Sequence, residues 1–117
     1  MIKLYGIPNC DTVKKARSWL ASHDIAVEFH DFKKLGLSAE LAQRWLQQMP
    51  HELIINRRGT TWRGLPEELK ISVTGNAAAQ QLMLDKTSVI KRPLLEQDGK
   101  LLHAGFDEAT YSKLFNL

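Results

Sequence analysis

The sequence has only one cysteine, Cys10, among its 117 residues. A single cysteine cannot form an intramolecular disulfide or a thiolate-rich zinc site. Any thiol redox cycle must therefore take its second sulfur from a partner protein or a small thiol. The four histidines are scattered and give no metal-ligand spacing, so we expect no metal site, and no bound cofactor is indicated.

Long apolar runs are also lacking, since no stretch approaches the roughly 20 residues that a membrane span requires. The N-terminus has neither the basic start nor the long apolar core of a signal peptide, so we expect a cytoplasmic protein without a membrane partner. The net charge of +3 is mild, and direct nucleic-acid binding is not expected. With 44% hydrophobic residues the chain can bury a core, and we expect a single domain over residues 1–117.

Cys10 lies where a strand is predicted to end and a helix to begin. Gly6 and Pro8 interrupt the short apolar run that starts at Ile2. Apolar side chains then recur at helical spacing: Val13, Ala16 and Leu20. This spacing predicts a helix that begins one or two residues after Cys10, which places the sulfur at a helix N-terminus.

The start of a helix favours a negative charge, because its first N–H groups lack intrahelical partners and carry the positive end of the helix dipole. The thiolate is the strongly nucleophilic form of cysteine. Lys14 and Lys15 lie one turn further along and add positive charge. The pattern favours a reactive Cys10, and the alternative is a buried, inert cysteine that packs as a small hydrophobic residue.

After the first helix, alternating residues predict a second strand over residues 25–32, parallel to the first because a helix connects them. Helical patterns then dominate from about residue 38 to residue 86. Ser38 is a predicted N-cap, and Pro66 and Asn76 mark further helix starts. Between them, residues 56–63 are interpreted as an exposed basic loop.

The last third of the chain carries the clearest strand signal. The pair Asp98-Gly99 between two apolar runs is the signature of a type I′ hairpin, and Asp107 is a predicted N-cap for a C-terminal helix. The order of elements predicts an α/β protein with a mixed sheet of about four strands and a helical insertion over about residues 38–86, between the second and third strands. Two parallel strands joined to an antiparallel hairpin in one sheet form the thioredoxin-like arrangement.

Basic residues fall in three groups along the sequence: Lys14, Lys15 and Arg17; Arg57, Arg58 and Arg63; Lys91 and Arg92. They are either three separate solvated surfaces, or the fold brings some of them around Cys10 as an anion site.

Four segments resemble the ArsC/Spx family in order and spacing, with the greatest likeness to its YffB-like branch: residues 4–12, 58–63, 90–95 and 105–108. The resemblance covers essentially the whole chain. It implies a thioredoxin-like fold, a cytoplasmic bacterial setting, and a chemistry in which a cysteine thiolate attacks an oxidised substrate.

The resemblance also assigns residues. The family cysteine falls on Cys10. The arginine that precedes the family's proline falls on Arg92, which in arsenate reductases helps to hold the oxyanion. The thioredoxin-like scaffold places a cis proline beside the cysteine loop, so the Arg92–Pro93 bond is predicted to be cis.

Three family positions differ here. The histidine that arsenate reductases carry before the cysteine aligns with Gly6, their middle arginine with Asn56, and a third arginine lies near His103. Arg57 or Arg58 is a candidate substitute for the middle arginine.

The resulting hypothesis is a thiol-dependent reductase with glutathione as co-substrate and glutaredoxin as a further partner. Cys10 is the predicted nucleophile, and the predicted substrate- or glutathione-binding residues are Arg92, Arg57, Arg58, Lys14 and Asn9. One alternative is a non-enzymatic regulator that binds RNA polymerase, as Spx proteins do. Many of those proteins use a Cys-x-x-Cys switch, which Val13 rules out here. The other alternative is a true arsenate reductase.

Overall fold

A computed structural model describes all 117 residues. The elements, in chain order, are β1 (Ile2–Gly6), α1 (Asp11–Ser22), β2 (Glu28–Asp31), α2 (Phe32–Leu35), α3 (Ala39–Gln48), α4 (His51–Ile54), α5 (Thr60–Arg63), α6 (Glu67–Ser72), α7 (Asn76–Asp85), a 3-10 turn (Thr87–Val89), β3 (Leu94–Gln97), β4 (Lys100–Ala104) and α8 (Glu108–Leu114).

The chain divides into two compact units. The first unit consists of Met1–Leu35 and Arg92–Leu117, and the second unit of Gly36–Lys91. The predicted insertion over residues 38–86 thus lies inside the second unit. That the two units make a single domain stays a prediction.

The first unit contains a four-stranded mixed sheet in the order β2-β1-β3-β4. β1 and β2 are parallel, while β1 with β3 and β3 with β4 are antiparallel. Asp98 and Gly99 connect β3 to β4 with φ angles of 50° and 86°, the left-handed values that a type I′ turn requires. The predicted mixed sheet and hairpin are confirmed.

One face of this sheet carries the core of the first unit. The buried residues that form it are Leu4, Ala16, Trp19, Leu20, Leu95 and Tyr111. Leu4 and Leu95 are partners across β1 and β3, and α1 and α8 contribute the remaining side chains. The Tyr111 ring meets the rings of Trp19 and Phe106 edge-on, an arrangement that aromatic pairs favour. Packing against this cluster fixes α1 on the sheet, and with it the position of Cys10.

The other face of the sheet carries polar groups. The Tyr5 hydroxyl donates a hydrogen bond of 2.9 Å to Glu96 Oε1, and the Glu96 residue is only 2% exposed. The His30 ring lies 4.9 Å from the Tyr5 ring, between centroids. The His30 ring therefore packs against the Tyr5 ring on this face of the sheet.

The second unit is built from short helices. Ser38 Oγ accepts the Leu41 N–H at 3.2 Å, which confirms the predicted N-cap of α3. Side-chain amides of α7 bind α3, because Asn76 Nδ2 donates to the Leu46 carbonyl and Gln80 Nε2 donates to the Ala39 carbonyl.

Two local predictions are wrong. Residues 60–63 form the helical turn α5 instead of continuing the exposed loop, and this turn buries Trp62 to 7% exposure. The second strand is shorter than predicted. Ile25 N–H still bonds to the Leu20 carbonyl at the end of α1, and the buried Phe32 begins α2. None of the helices combines the length and apolarity that crossing a membrane requires.

Candidate functional site

Cys10 is the N-cap residue of α1, as the sequence predicts. Its backbone is extended, with φ −121° and ψ 126°, and its carbonyl accepts the Lys14 N–H at 2.9 Å. The residue is half-buried, and its side chain makes no capping hydrogen bond. Because α1 continues for 12 residues, the thiol lies at the positive end of a full helix without being consumed in capping it.

The sheet register brings a second predicted segment to the same place. Tyr5 pairs with Leu94 at the end of the β1–β3 ladder, so Gly6, the last residue of β1, and Pro93, which precedes β3, lie at the same end of the sheet. The Gly105 N–H donates to the Pro93 carbonyl at 2.8 Å and ties β4 to that end. The Arg92–Pro93 bond is cis. The loop that leads to Cys10 and the half-buried Arg92 therefore share one end of the sheet.

The backbone at Gly6 passes so close to α1 that it leaves no room for a side chain. A Cβ at this position would lie 2.8 Å from Val13 Cγ2, well inside normal carbon contact. Val13 is fully buried. Position 6, to which the family resemblance assigns the histidine of arsenate reductases, therefore lacks space for a side chain beside the Val13 methyl group.

Lys14 is the predicted cation closest to Cys10 in sequence, and it is exposed on the first turn of α1. Asn9 is also exposed. Arg17, one further turn along, is held by a different contact, since its guanidinium carbon lies 4.3 Å from the centre of the Phe29 ring. The end of the sheet near Cys10 thus combines a thiol with basic side chains on α1.

Arg57 and Arg58 belong to the second unit, whereas Cys10 and Arg92 belong to the first. The Arg57 guanidinium donates to the Val73 carbonyl at 3.3 Å and lies over the Trp62 ring at 4.8 Å. Arg57 thus has a packing role within its own unit. A role for either arginine in binding substrate stays a prediction.

A groove that sequence reasoning missed runs along α1. It has a volume of about 690 Å³, and its walls include Lys14, Lys15, Ser18, Trp19, Phe106 and Glu108. We call it the α1 groove. One wall could have been found from the lysines and serines that recur along α1. The opposite wall comes from the start of α8, which is far away in sequence, so the groove itself could not be predicted.

Asp107 also borders the α1 groove, and its carboxylate is already engaged. Its Oδ1 accepts the Thr110 N–H at 2.8 Å, and its Oδ2 lies 3.6 Å from His103 Nε2. The hydrogen bonds from Thr110 lower the pKa of Asp107 below its ordinary value. Asp107 is therefore the ionised cap of α8, as the sequence predicts.

Burial governs the ionisation of Tyr111, a core residue of α8. Burial, assisted by the charge of Asp107, raises the pKa of Tyr111 far above its ordinary value. Its hydroxyl is buried without a hydrogen-bond partner. Tyr111 is thus a neutral core residue. No group of three or more histidine, cysteine, aspartate or glutamate side chains is placed to hold a metal ion.

A thioredoxin-like sheet with a single cysteine capping its first helix defines the class of this protein. The model of the ArsC family matches residues 5–114, and the chain belongs to that family.

Two solved structures are similar over nearly the whole chain. A YFFB protein is 43% identical with a TM-score of 0.90, and 97% of each chain is covered. An arsenate reductase (ArsC) related protein from Brucella melitensis is 51% identical with a TM-score of 0.79, covering 99% of this chain and 95% of that one.

Two relatives are similar in sequence over most of the chain. An uncharacterized protein from Haemophilus influenzae is 42% identical over 115 residues, which are 98% of this chain and 99% of that protein. The global transcriptional regulator Spx from Lactiplantibacillus plantarum is 30% identical over 110 residues, which are 92% of this chain and 81% of the regulator. The relatives of this chain thus include a transcriptional regulator and a protein described as related to arsenate reductase.

Proposed function

We propose that the protein is a thiol-dependent reductase in which Cys10 is the nucleophile and glutathione is the co-substrate. The observation that carries the proposal is the position of Cys10. It caps a 12-residue helix, it is partly accessible, and its side chain is not used in the cap. At such a position the sulfur is accessible to a substrate and lies beside the first N–H groups of the helix.

The proposed first step is attack of the Cys10 thiolate on one sulfur of an oxidised thiol substrate. A new S–S bond forms to Cys10, the substrate S–S bond breaks, and the second sulfur leaves as a thiolate that takes a proton from water. Because Val13 occupies the position of a second cysteine, the protein has no internal thiol to complete the cycle.

The second sulfur must come from outside, and glutathione supplies it in this proposal. A glutathione thiolate attacks the mixed disulfide, a new disulfide leaves, and Cys10 returns to the thiolate. Glutaredoxin is a further proposed partner for removing glutathione from Cys10.

Arg92 is the proposed anion-binding group, because it lies at the same end of the sheet as the Cys10 loop. A guanidinium can bind a carboxylate or an oxyanion through two parallel hydrogen bonds, which an ammonium cannot. Arg92→Lys should therefore weaken anion binding. Lys14 and Asn9, with Arg57 or Arg58, are the remaining proposed binding residues.

The test is intact mass after treatment with glutathione disulfide, followed by turnover with glutathione and a disulfide substrate. Wild type should gain one glutathionyl group and turn over, and Cys10→Ser should do neither while its circular dichroism and thermal unfolding remain unchanged. Turnover that survives in Cys10→Ser would overturn the assignment of the nucleophile.

A second candidate is a regulator that binds RNA polymerase, favoured by the 30% identity to Spx over most of both chains. In this alternative, the protein would bind polymerase without a Cys-x-x-Cys switch, because Val13 takes the second position. Co-elution of the purified protein with RNA polymerase, together with no thiol turnover, would favour the regulator over the reductase.

A third candidate function is arsenate reduction, because the Brucella melitensis neighbour is described as related to arsenate reductase. The packing of Gly6 against Val13 argues against arsenate reduction. The resemblance assigns a histidine to this position, but this chain has a glycine there, and Val13 leaves no space for a side chain. Arsenate reduction with glutathione and glutaredoxin, measured beside disulfide reduction, compares the two substrates directly.

A further inference from the structure

We propose that a pocket beside the Cys10 loop binds an acidic side chain of a polypeptide substrate, so that the proposed reductase acts on oxidised cysteines of proteins. This inference rests on the proposed function, because it concerns what Cys10 attacks. The pocket has a volume of about 340 Å³, and we call it the β2 pocket. Its lining residues come from the loop before Cys10, from α1, and from β2 and α2: Pro8, Arg17, Phe29, Asp31, Lys34 and Leu35.

The β2 pocket lies at the same end of the sheet as Cys10. Asp31, the last residue of β2, pairs with Gly6, the last residue of β1. Pro8 forms one wall of the pocket and stands two residues before Cys10. Two residues of chain span at most about 7 Å, so this wall begins within that distance of the Cys10 backbone.

A polypeptide joined to Cys10 can reach this pocket. The two Cα atoms of a disulfide lie about 4.4 to 6.8 Å apart. A residue two or three positions from the substrate cysteine lies up to about 7 to 10 Å further along an extended chain. The second span alone matches the distance from Cys10 to Pro8, so such a residue can place its side chain in the pocket while the cysteine stays at Cys10.

The charges of the β2 pocket favour one carboxylate. Arg17 and Lys34 are exposed cations, and neither forms an ion pair with a carboxylate of the chain. The guanidinium carbon of Arg17 lies 4.3 Å from the centre of the Phe29 ring, which holds the cation at the pocket. Asp31 supplies one negative charge, and its Oδ1 accepts the Lys33 N–H at 2.9 Å. Two cations and one carboxylate leave one excess positive charge, which a single glutamate or aspartate of the substrate neutralises.

The exposure of the pocket favours a polypeptide over a small acid. Four of the six lining residues are exposed, so the pocket opens broadly to solvent: Pro8, Arg17, Lys34 and Leu35. Small ligands are bound in sites that enclose about 70 to 90% of their surface. Leu35 is 66% exposed, and the Phe29 ring is half-buried, which leaves apolar surface beside the cations. A chain that crosses the rim covers this surface when an apolar residue follows the acidic one.

The bond changes are those of thiol–disulfide exchange. The Cys10 thiolate attacks the sulfur of the substrate cysteine in a disulfide, the Cys10–substrate S–S bond forms, and the other sulfur leaves as a thiolate that takes a proton from water. An external thiol then attacks the Cys10 sulfur and releases the substrate cysteine reduced. A second external thiol removes the first as a disulfide and restores Cys10. The pocket positions the substrate for the first attack, so exchange should be faster when the acidic residue is present.

The binding test uses peptides that cannot form a disulfide. The probe is a blocked hexapeptide in which a glutamate–leucine pair begins two residues after S-methylcysteine, and a second probe has the pair before it, which covers both chain directions. The matched peptides carry glutamine in place of glutamate. Titration of the glutamate peptide into isotope-labelled protein should shift the backbone amides of residues 7–10, 17 and 29–35.

Variants assign the binding to the pocket. Arg17→Gln and Lys34→Gln should each weaken binding of the glutamate peptide by up to about fivefold, the upper range for an exposed ion pair, and leave the glutamine peptide unchanged. Leu35→Ser should weaken both peptides, because it removes the apolar contact. The matched control Lys100→Gln removes an exposed cation that pairs with Gln97 at the opposite end of the sheet, and it should bind as wild type.

A second arm follows exchange at Cys10 with reactive peptides, in which the cysteine forms a disulfide with 2-mercaptoethanol. The glutamate peptide should react up to about fivefold faster than the glutamine peptide, and Lys34→Gln should remove that preference.

Three outcomes would contradict parts of this inference. Equal binding of the glutamate and glutamine peptides, or amide shifts confined to other residues, would overturn the pocket even if Cys10 exchanged normally. N-acetylglutamate that binds as tightly as the peptide would overturn the polypeptide in favour of a small acid. No exchange at Cys10, while the unreactive peptide still shifts the pocket amides, would overturn the proposed reductase and leave the acidic-peptide site standing.

Discussion

The packing of Gly6 against Val13 leads to a quantitative prediction, because a side chain at position 6 would clash with a single methyl group of Val13. Gly6→Ala would bring the new Cβ to 2.8 Å from Val13 Cγ2, whereas its other neighbours, Val13 Cγ1 at 3.6 Å and Phe29 Cε1 at 3.9 Å, are at ordinary distances. Optimal carbon contacts lie at about 3.5 to 4.0 Å. The substitution thus overpacks the start of α1 by roughly 1 Å on one side.

Overpacking of this kind costs about 1 to 3 kcal/mol in free energy of unfolding. Replacing glycine restricts the unfolded chain and returns about 0.4 to 1 kcal/mol. We therefore expect Gly6→Ala to destabilise the protein by about 1 to 2 kcal/mol. Val13→Ala removes two buried methyl groups and should cost about 1.6 kcal/mol or more, because each buried carbon contributes about 0.8 kcal/mol.

The double variant Gly6→Ala/Val13→Ala tests the cause, because removing the Val13 methyl groups makes room for the new Cβ. Its loss of stability, measured by urea unfolding, should be about 1 to 2 kcal/mol smaller than the sum of the two single losses. The matched control pairs Gly6→Ala with Leu20→Ala, which opens a space two turns further along α1 and should leave the losses additive. Additive losses in both pairs would show that contact with Val13 does not exclude a side chain at position 6.

Three further predictions concern other parts of the first unit. Cys10→Ser should change the free energy of unfolding by less than about 0.5 kcal/mol in urea, because the thiol makes no capping hydrogen bond. Tyr5→Phe should lower it by about 1 to 2 kcal/mol, because it removes a buried hydrogen bond to Glu96, and an unchanged value would contradict that role. Asp107, whose pKa is lowered in the folded state, should stabilise α8 above the unfolded pKa of about 3.9 and lose this contribution as pH falls through the lower folded value. Urea unfolding between pH 2 and 6 should show this dependence in wild type and not in Asp107→Asn.

Helix starts and the hairpin turn could be predicted from sequence because their causes are local. Ser38 and Asp107 cap their helices through a side-chain oxygen that accepts an N–H three residues on, so the signal lies within four residues. Asp98 and Gly99 occupy left-handed conformations that few other residues tolerate. The position of Cys10 at the start of α1 could be predicted for the same reason, because the signals that start this helix are close to it in sequence.

Features that depend on contacts between distant residues could not be predicted in this way. Residues 60–63 contain no helical periodicity, yet they form a turn because that turn buries Trp62. The α1 groove joins Trp19 to Phe106, and nothing near either residue in sequence shows that they share a wall. The tertiary fold decides these features, and the sequence supplies only compatible side chains.

Val13 connects the packing of the first helix to the chemistry proposed for the protein. It takes the position of the second cysteine in a Cys-x-x-Cys pair, so Cys10 has no resolving thiol within the chain. Its methyl group also lies where a side chain at position 6 would have to begin. One buried valine thus stands where a Cys-x-x-Cys pair would have its second cysteine and beside the position to which the family resemblance assigns a histidine. In the proposed reaction, the second sulfur must therefore come from a thiol outside the chain.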